Sequence, residues 1–296
     1  MILSLPVLAQ HTPFPLADSI CTYQVNNGDT LKKELLKREI FIYDKKGMLR
    51  ERLVEEKING KWTYTQRVLL GYNAINRIQH IKKEIWNTEK RNWQTNIRRT
   101  FNYNVRYLPV SYLDEKRVAE AYQKIGKVNF EYTNKHQLNM VVCKVFKQNQ
   151  WKDSLKKTLF YDSTNSLKSL LTYKNEENFW FLSEKTEKNL KKQEIEFIYK
   201  SINATGRDNI KEKISEYYSK KGDFLGYKRF SYDEISRKYK ETGGLRAWYD
   251  KKSAKWNYNF YVFKEGKMWV ESQISVSPSK EAKNNAIKDL PIDFLE

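Results

Sequence analysis

Polar and apolar residues alternate along much of this chain. Trp93, Thr95, Ile97, Arg99, Phe101 and Tyr103 are interleaved with Gln94, Asn96, Arg98, Thr100 and Asn102. Trp151, Leu155, Leu159 and Tyr161 alternate with Lys152, Ser154, Lys156 and Thr158, and Trp62, Tyr64, Val68, Leu70 and Tyr72 make a third copy. A side-chain period of two belongs to extended strands, whose successive residues point to opposite faces. Each segment therefore predicts a strand of about eleven residues, with its first set on one face and its second set toward water.

The copies recur at a fixed spacing. Aligned on Trp62, Trp93, Tyr122, Trp151 and Trp180, the steps are 31, 29, 29 and 29 residues. Ten residues beyond the first four stand Tyr72, Tyr103, Tyr132 and Tyr161, and two before each tyrosine is Leu70, Phe101, Phe130 or Leu159. Asn73, Asn104 and Asp162 follow the tyrosine directly, with Thr133 as the exception. Self-similarity at such a period marks a repeat architecture.

Turn chemistry sits between the strands. Asp or Asn after the tyrosine caps a tight turn, and Gly47, Asn76, Asn165 and Gly222 fall where positive φ is needed. Asn59-Gly60 is a hairpin dipeptide at the other end of a unit. Each period thus predicts a β-hairpin, and the chain an all-β antiparallel meander of roughly 14–16 strands in an extended or curled single sheet. The array covers residues 37–275, after a non-repeat lead-in (10–36) and before a tail (276–296). Residues 208–222 also fit a helix, with Asp208 as N-cap and Gly222 after its end, but the strand reading keeps the repeat register. Ser279 to Leu290 predicts a short amphipathic helix.

Tyr43-Asp44-x-x-Gly47-x-Leu49, Tyr161-Asp162 and Tyr232-Asp233 carry a family likeness. Over residues 40–270 the chain resembles the YD-type repeats of bacterial Rhs-like proteins and the aromatic hairpin repeats of exported Bacteroidetes proteins. The resemblance implies long, curling antiparallel sheets that act as shells, spacers or adhesive surfaces. Tyr103-Asn104, Tyr132-Thr133 and Tyr218-Ser219 depart from the motif.

Composition adds charge to this picture. Aromatic residues reach 14%, against 40% hydrophobic and 31% charged, so rings carry much of the apolar surface. The formal charge of +19 invites a polyanionic partner, and Arg98, Arg99, Lys152 and Lys156 are candidate contacts. Lysine outnumbers arginine and is interleaved with glutamate, which favours a solvated surface and gives no strong sign of nucleic acid. An envelope protein or a glycan is the expected partner class.

The opening Met1-Ile-Leu-Ser-Leu-Pro-Val-Leu-Ala9 reads as the end of a secretory signal, with the mature chain starting at Gln10. That reading implies export to the periplasm, the outer-membrane surface or the medium. In such a compartment Cys21 and Cys143 could form a disulfide, and two unpaired thiols are the alternative. No stretch approaches the ~18 apolar residues of a membrane helix. An outer-membrane barrel is rejected, because the mean hydropathy is −0.81 and residues 77–86 carry Lys or Arg on both faces.

Catalytic chemistry does not stand out. His11, His80 and His136 are scattered without metal-ligand spacing, and there is no phosphate loop or nucleophile elbow. No catalytic residue, cofactor or metal site is assigned, and a carboxylate-pair glycosidase is a distant third reading. The tryptophan column reads first as a packing ladder between repeats and second as a platform for sugars or bases. The expectation is a non-enzymatic structural or binding protein of the cell envelope, with a polyanion- or glycan-binding module as the alternative.

Overall fold

The computed structural model describes residues 17–25, 33–176, 179–191, 194–202, 208–220, 224–264 and 267–278, and no residue among them is helical. The first strands are β1 (Ala17–Val25), β2 (Lys33–Tyr43), β3 (Leu49–Ile58), β4 (Lys61–Tyr72), β5 (Ile78–Asn87) and β6 (Asn92–Tyr103). Next come β7 (Pro109–Val118), β8 (Ala121–Tyr132), β9 (Leu138–Lys147), β10 (Gln150–Tyr161), β11 (Leu167–Glu176) and β12 (Phe179–Lys191). The last are β13 (Glu194–Ile202), β14 (Asp208–Tyr218), β15 (Phe224–Asp233), β16 (Lys238–Asp250), β17 (Lys255–Lys264) and β18 (Lys267–Pro278).

The hairpin meander is as the sequence predicts, but the sheet is neither extended nor open. β1 pairs antiparallel with β2 on one side and with β18 on the other, so the 18-stranded sheet closes into a barrel. Closure pairs the N–H and C=O groups that the edges of an open sheet would expose. The closing strand comes from the presumed lead-in, and β18 extends into the presumed tail, which brings the strand number above the expected 14–16. Residues 208–218 are strand β14. The signal segment 1–9, Gly222 and the expected helix over 279–290 lie outside the described residues.

Five turns share one construction. In the first, Asp44 N donates to Met48 O and Gly47 N to Asp44 O, both at 2.8 Å, while Lys46 N and Met48 N donate to Asp44 Oδ1. Asn73, Asn104 and Asp162 accept the same pair of side-chain bonds, whereas Thr133 Oγ1 accepts only from Gln137 N, at 3.2 Å. The fourth residue of each turn is left-handed: Gly47, Asn76, Tyr107, His136 and Asn165 have φ between 59° and 75°. Hydrogen bonds from Thr164 and Ser166 hold the Asp162 carboxyl below the usual range.

Two β-bulges per hairpin set which side chains share a face. One follows the turn, leaving Arg50, Gln79, Val110, Asn139 and Lys168 opposite no partner. The other lies three residues beyond the tryptophan column, at Thr65, Ile125, Ser154 and Ser183. At three of these the hydroxyl bonds back across the ladder: Thr65 to Val54 O, Ser154 to Cys143 O and Ser183 to Thr172 O. An extra residue reverses the alternation beyond it. The expectation of one uninterrupted period-two face per strand is therefore wrong. Trp62 and Tyr64 lie with Lys57 and Glu55, while Gln66 and Val68 lie on the opposite face with Val54 and Arg52.

The strands divide into two compact units. In the first (Met1–Asn96, Glu216–Lys228, Glu241–Glu296), Leu245, Tyr258 and Val276 are buried, with Ile20, Phe41, Trp256, Phe260 and Ile274 packed on them. Val54, Val68, Leu70 and Ile81 are also buried there, on the face opposite the tryptophans. In the second (Ile97–Ser215, Arg229–Lys240), Phe101, Tyr112 and Phe130 pack in sequence at centroid distances of 5.7 and 5.9 Å. Val128, Val141, Leu159 and Leu170 complete that apolar face.

Ion pairs interrupt even this apolar face. In the first unit Arg52 Nε bonds Glu39 Oε2 at 2.7 Å, with both residues buried. In the second, Arg99 makes a two-point contact with Asp114, at 2.6 and 2.7 Å. Burial works against the Arg99 charge, and the bonds it donates to Asp114 more than restore it, so its pKa is raised.

Candidate functional site

The face opposite the apolar core carries a repeated triad. Arg38 reaches Glu55 across the ladder, with Arg38 Nε to Glu55 Oε2 at 2.6 Å, and its guanidinium lies 5.3 Å from the Trp62 ring. Arg67 bonds Glu84 and lies 4.8 Å from the Trp93 ring. Arg98 Nε bonds Glu115 Oε2 at 2.9 Å and lies 4.2 Å from Tyr122. Cation and acid are 17 residues apart in every case, which places them on adjacent strands of one hairpin. The aromatic residue then arrives from the following strand.

The same columns continue with different chemistry. Lys127 occupies the cation position on β8, but the residue opposite it is Lys144. Lys144 is also opposite Asp153, with which it forms an ion pair at 2.8 Å. Lys156 takes the cation position on β10, opposite Tyr173, and its Nζ lies 4.6 Å from that ring and 4.9 Å from Trp180. On β12, Lys185 pairs with Glu187, which Lys200 also reaches, each at 2.8 Å.

The rings of this face are half-buried rather than packed away. Trp62 and Tyr64 are 38% and 42% exposed. Tyr64, Trp86 and Trp93 form an aromatic cluster with centroid distances of 5.2–6.2 Å, and Phe146 meets Trp151 at 4.9 Å. Trp93, Tyr122, Trp151 and Trp180 are all of intermediate exposure. Such rings pack across the strands while part of their surface stays open to water.

The tyrosine column is a structural device. Tyr72, Tyr132 and Tyr161 each donate a phenolic hydrogen bond to a backbone carbonyl 23 residues earlier, at Leu49, Pro109 and Leu138. Tyr103 ends β6 beside Phe101, with ring centroids 6.4 Å apart. Among the four candidate polyanion contacts, Arg98 and Lys156 belong to the cation column. Arg99 is on the apolar face with Asp114, and Lys152 is exposed near the start of β10, beside Gln148.

Cys21 and Cys143 are both free. Cys21 is opposite Arg38, whereas Cys143 is buried opposite Val128 and Leu155 on the apolar face, so of the two alternatives the structure shows unpaired thiols. Burial pushes the Cys143 thiol up to about 11. His80 lies across from Gly71, where a Cβ would meet its ring at 2.1 Å, and His136 contacts Arg106 in a turn. His11 lies outside the described residues. Among the described residues there is no cluster of three or more His, Cys, Asp or Glu side chains able to hold a metal ion.

No protein-family model matches the chain, and no curated protein does either. Solved structures with some likeness include three from Bacteroides species. A protein of unknown function from Bacteroides fragilis matches 40% of this chain and 89% of its own, at 11% identity and a TM-score of 0.38. A DUF3836 family protein from Bacteroides vulgatus matches 28% of this chain and 87% of its own, at 14% identity and 0.27. A porin-like protein from Bacteroides uniformis matches 90% of this chain and 97% of its own, at 10% identity and 0.39. TM-scores this low do not establish a common fold, and the YD likeness remains one of motif.

Proposed function

We propose that this chain is an exported, non-enzymatic protein of the cell envelope, in which a closed hairpin-repeat sheet presents the aromatic and cationic face to a glycan. One observation carries the reading. The tryptophan column stands partly exposed on the face opposite the apolar residues, with a cation over Trp62, Trp93 and Trp180. Ring faces backed by hydrogen-bonding side chains suit the apolar patches and hydroxyls of sugars. A closed sheet has no free edge on which to add a peptide strand, so recognition falls to side chains. Export rests on the apolar start of the sequence.

The barrel of this reading is not embedded in lipid. A membrane-spanning barrel needs an apolar band on its lipid side. Here each unit carries charge on both faces: Arg38 and Arg67 against Glu39 and Arg52 in the first, and Arg98 and Lys127 against Arg99 and Asp114 in the second. A second reading, an inert envelope spacer, draws on the first three repeats, where each arginine is already satisfied by a glutamate. A panel of neutral and acidic envelope glycans separates the two. The binding reading expects capture that Trp62→Ala and Trp151→Ala weaken at least tenfold, and a panel with no glycan captured would overturn it.

A further inference from the structure

Resting on the glycan-binding reading, we infer that Lys127, Lys144 and Lys156 form the subsite for the charged groups of an acidic polysaccharide that runs across the strands. In the first three repeats the acid column supplies Glu55, Glu84 and Glu115, and each neutralises its arginine. In the next two, that column holds Lys144 and Tyr173 instead. The sheet therefore changes from a neutral pairing to three lysines, and the one ion pair they make among the described residues is Lys144 with Asp153. Lys127 and Lys144 are directly opposed, a like-charge pairing that destabilises a sheet, and Asp153 offsets only the charge of Lys144. Arg98–Glu115 bounds the patch on one side, and on the other Lys185 and Lys200, directly opposed, share Glu187.

Side-chain type selects the ligand. Tyr122, Trp151 and Trp180 lie on β8, β10 and β12, and the strand registers stagger each about three residues along the strand from the one before, so the aromatic column runs obliquely across the sheet. The lysines lie on the same strands and on β9 between them, beside this column. Lysine meets such groups as a point charge, whereas the forked, bidentate contacts that suit phosphate and bases come from arginine. Arg38, Arg67 and Arg98 on this face are committed to glutamates.

The test measures affinity for polygalacturonate and heparin, with neutral dextran and poly(dT) as comparators, at fixed ionic strength. The variants are Lys127→Glu, Lys156→Gln and, as a charge-matched control, Lys46→Glu in an exposed turn. Lys127→Glu sets an acid opposite Lys144, as in the first three repeats, so the melting temperature is expected to hold or rise. The expected result is at least a tenfold loss of affinity for the acidic polymers in Lys127→Glu and Lys156→Gln, with Lys46→Glu close to the parent. Equal losses in all three variants, or tighter binding of poly(dT) than of polygalacturonate, would overturn the inference. Binding of dextran with no effect of the lysine variants would also refute it while leaving the glycan-binding reading intact. Failure to bind any saccharide would refute both.

Discussion

The phenol of Tyr72 donates a 2.7 Å hydrogen bond to the carbonyl of Leu49, the first residue of the strand after the preceding turn. Leu49 is 1% exposed, so its carbonyl has little access to water as an alternative partner. The same bond joins Tyr132 to Pro109 and Tyr161 to Leu138, at 2.8 and 2.6 Å. The tyrosine column therefore latches each hairpin to the one before it. Tyr72→Phe and Tyr132→Phe should each cost about 1–2 kcal/mol by leaving a carbonyl unpaired. Urea unfolding of the purified variants measures this, and no change would show that the latch contributes nothing.

These tyrosines also set an alkaline limit. Burial pushes the pKa of Tyr72 and of Tyr132 up to about 12. An acid whose folded pKa is raised keeps its proton in the fold after the unfolded chain has lost it. Stability from this source is intact below the unfolded value of about 10 and is lost as pH rises from there toward 12. The urea midpoint should fall across that window, and less steeply in Tyr72→Phe than in the parent.

The two faces should respond differently to truncation. Leu70 is 5% exposed in the apolar core, and Leu70→Ala should cost about 2–5 kcal/mol. Trp93 loses a half-exposed cluster with Tyr64, Trp86 and Arg67, so Trp93→Ala should cost only about 1–2 kcal/mol. A Trp93→Ala cost above that of Leu70→Ala would favour packing between repeats as the main role of the column.

Much of this architecture is legible in the sequence. The 29-residue period, the tyrosines and the Asp/Asn turns all carry local signals, because turn residues have conformational preferences of their own. The bulges do not. Thr65, Ile125, Ser154 and Ser183 are not one residue type, and inserting one residue into a strand leaves the alternation on either side looking regular. Trp62 and Val68 therefore read as one face from their spacing, although the structure separates them. Closure was equally hidden, since β1 and β18 meet from the two ends of the array and β1 lies in a segment without repeat signals. The change from Glu55, Glu84 and Glu115 to Lys144 and Tyr173 is legible too, because these positions recur with the same spacing as the tryptophans.

Asp114 holds a guanidinium that has little access to water. The side chains of Arg99 and Asp114 are 17% and 12% exposed, and Arg99 also lies 4.0 Å from the Tyr112 ring. Asp114→Ala would leave a buried, uncompensated charge and should cost about 3–5 kcal/mol. Substituting both partners, Arg99→Met with Asp114→Leu, should cost less than that single change. Denaturation of the three proteins side by side tests the ordering.

Oxidative footprinting of the tryptophans with N-bromosuccinimide, read by mass spectrometry, tests most directly whether the aromatic face is a binding surface. In the free protein Trp62, Trp93, Trp151 and Trp180 should all be modified, because each is partly open to solvent. With polygalacturonate bound, Trp151 and Trp180 should be protected more than Trp62, because they flank the lysine patch. Tryptophans that resist the reagent in the free protein, or that react equally with and without the bound polymer, would contradict this account.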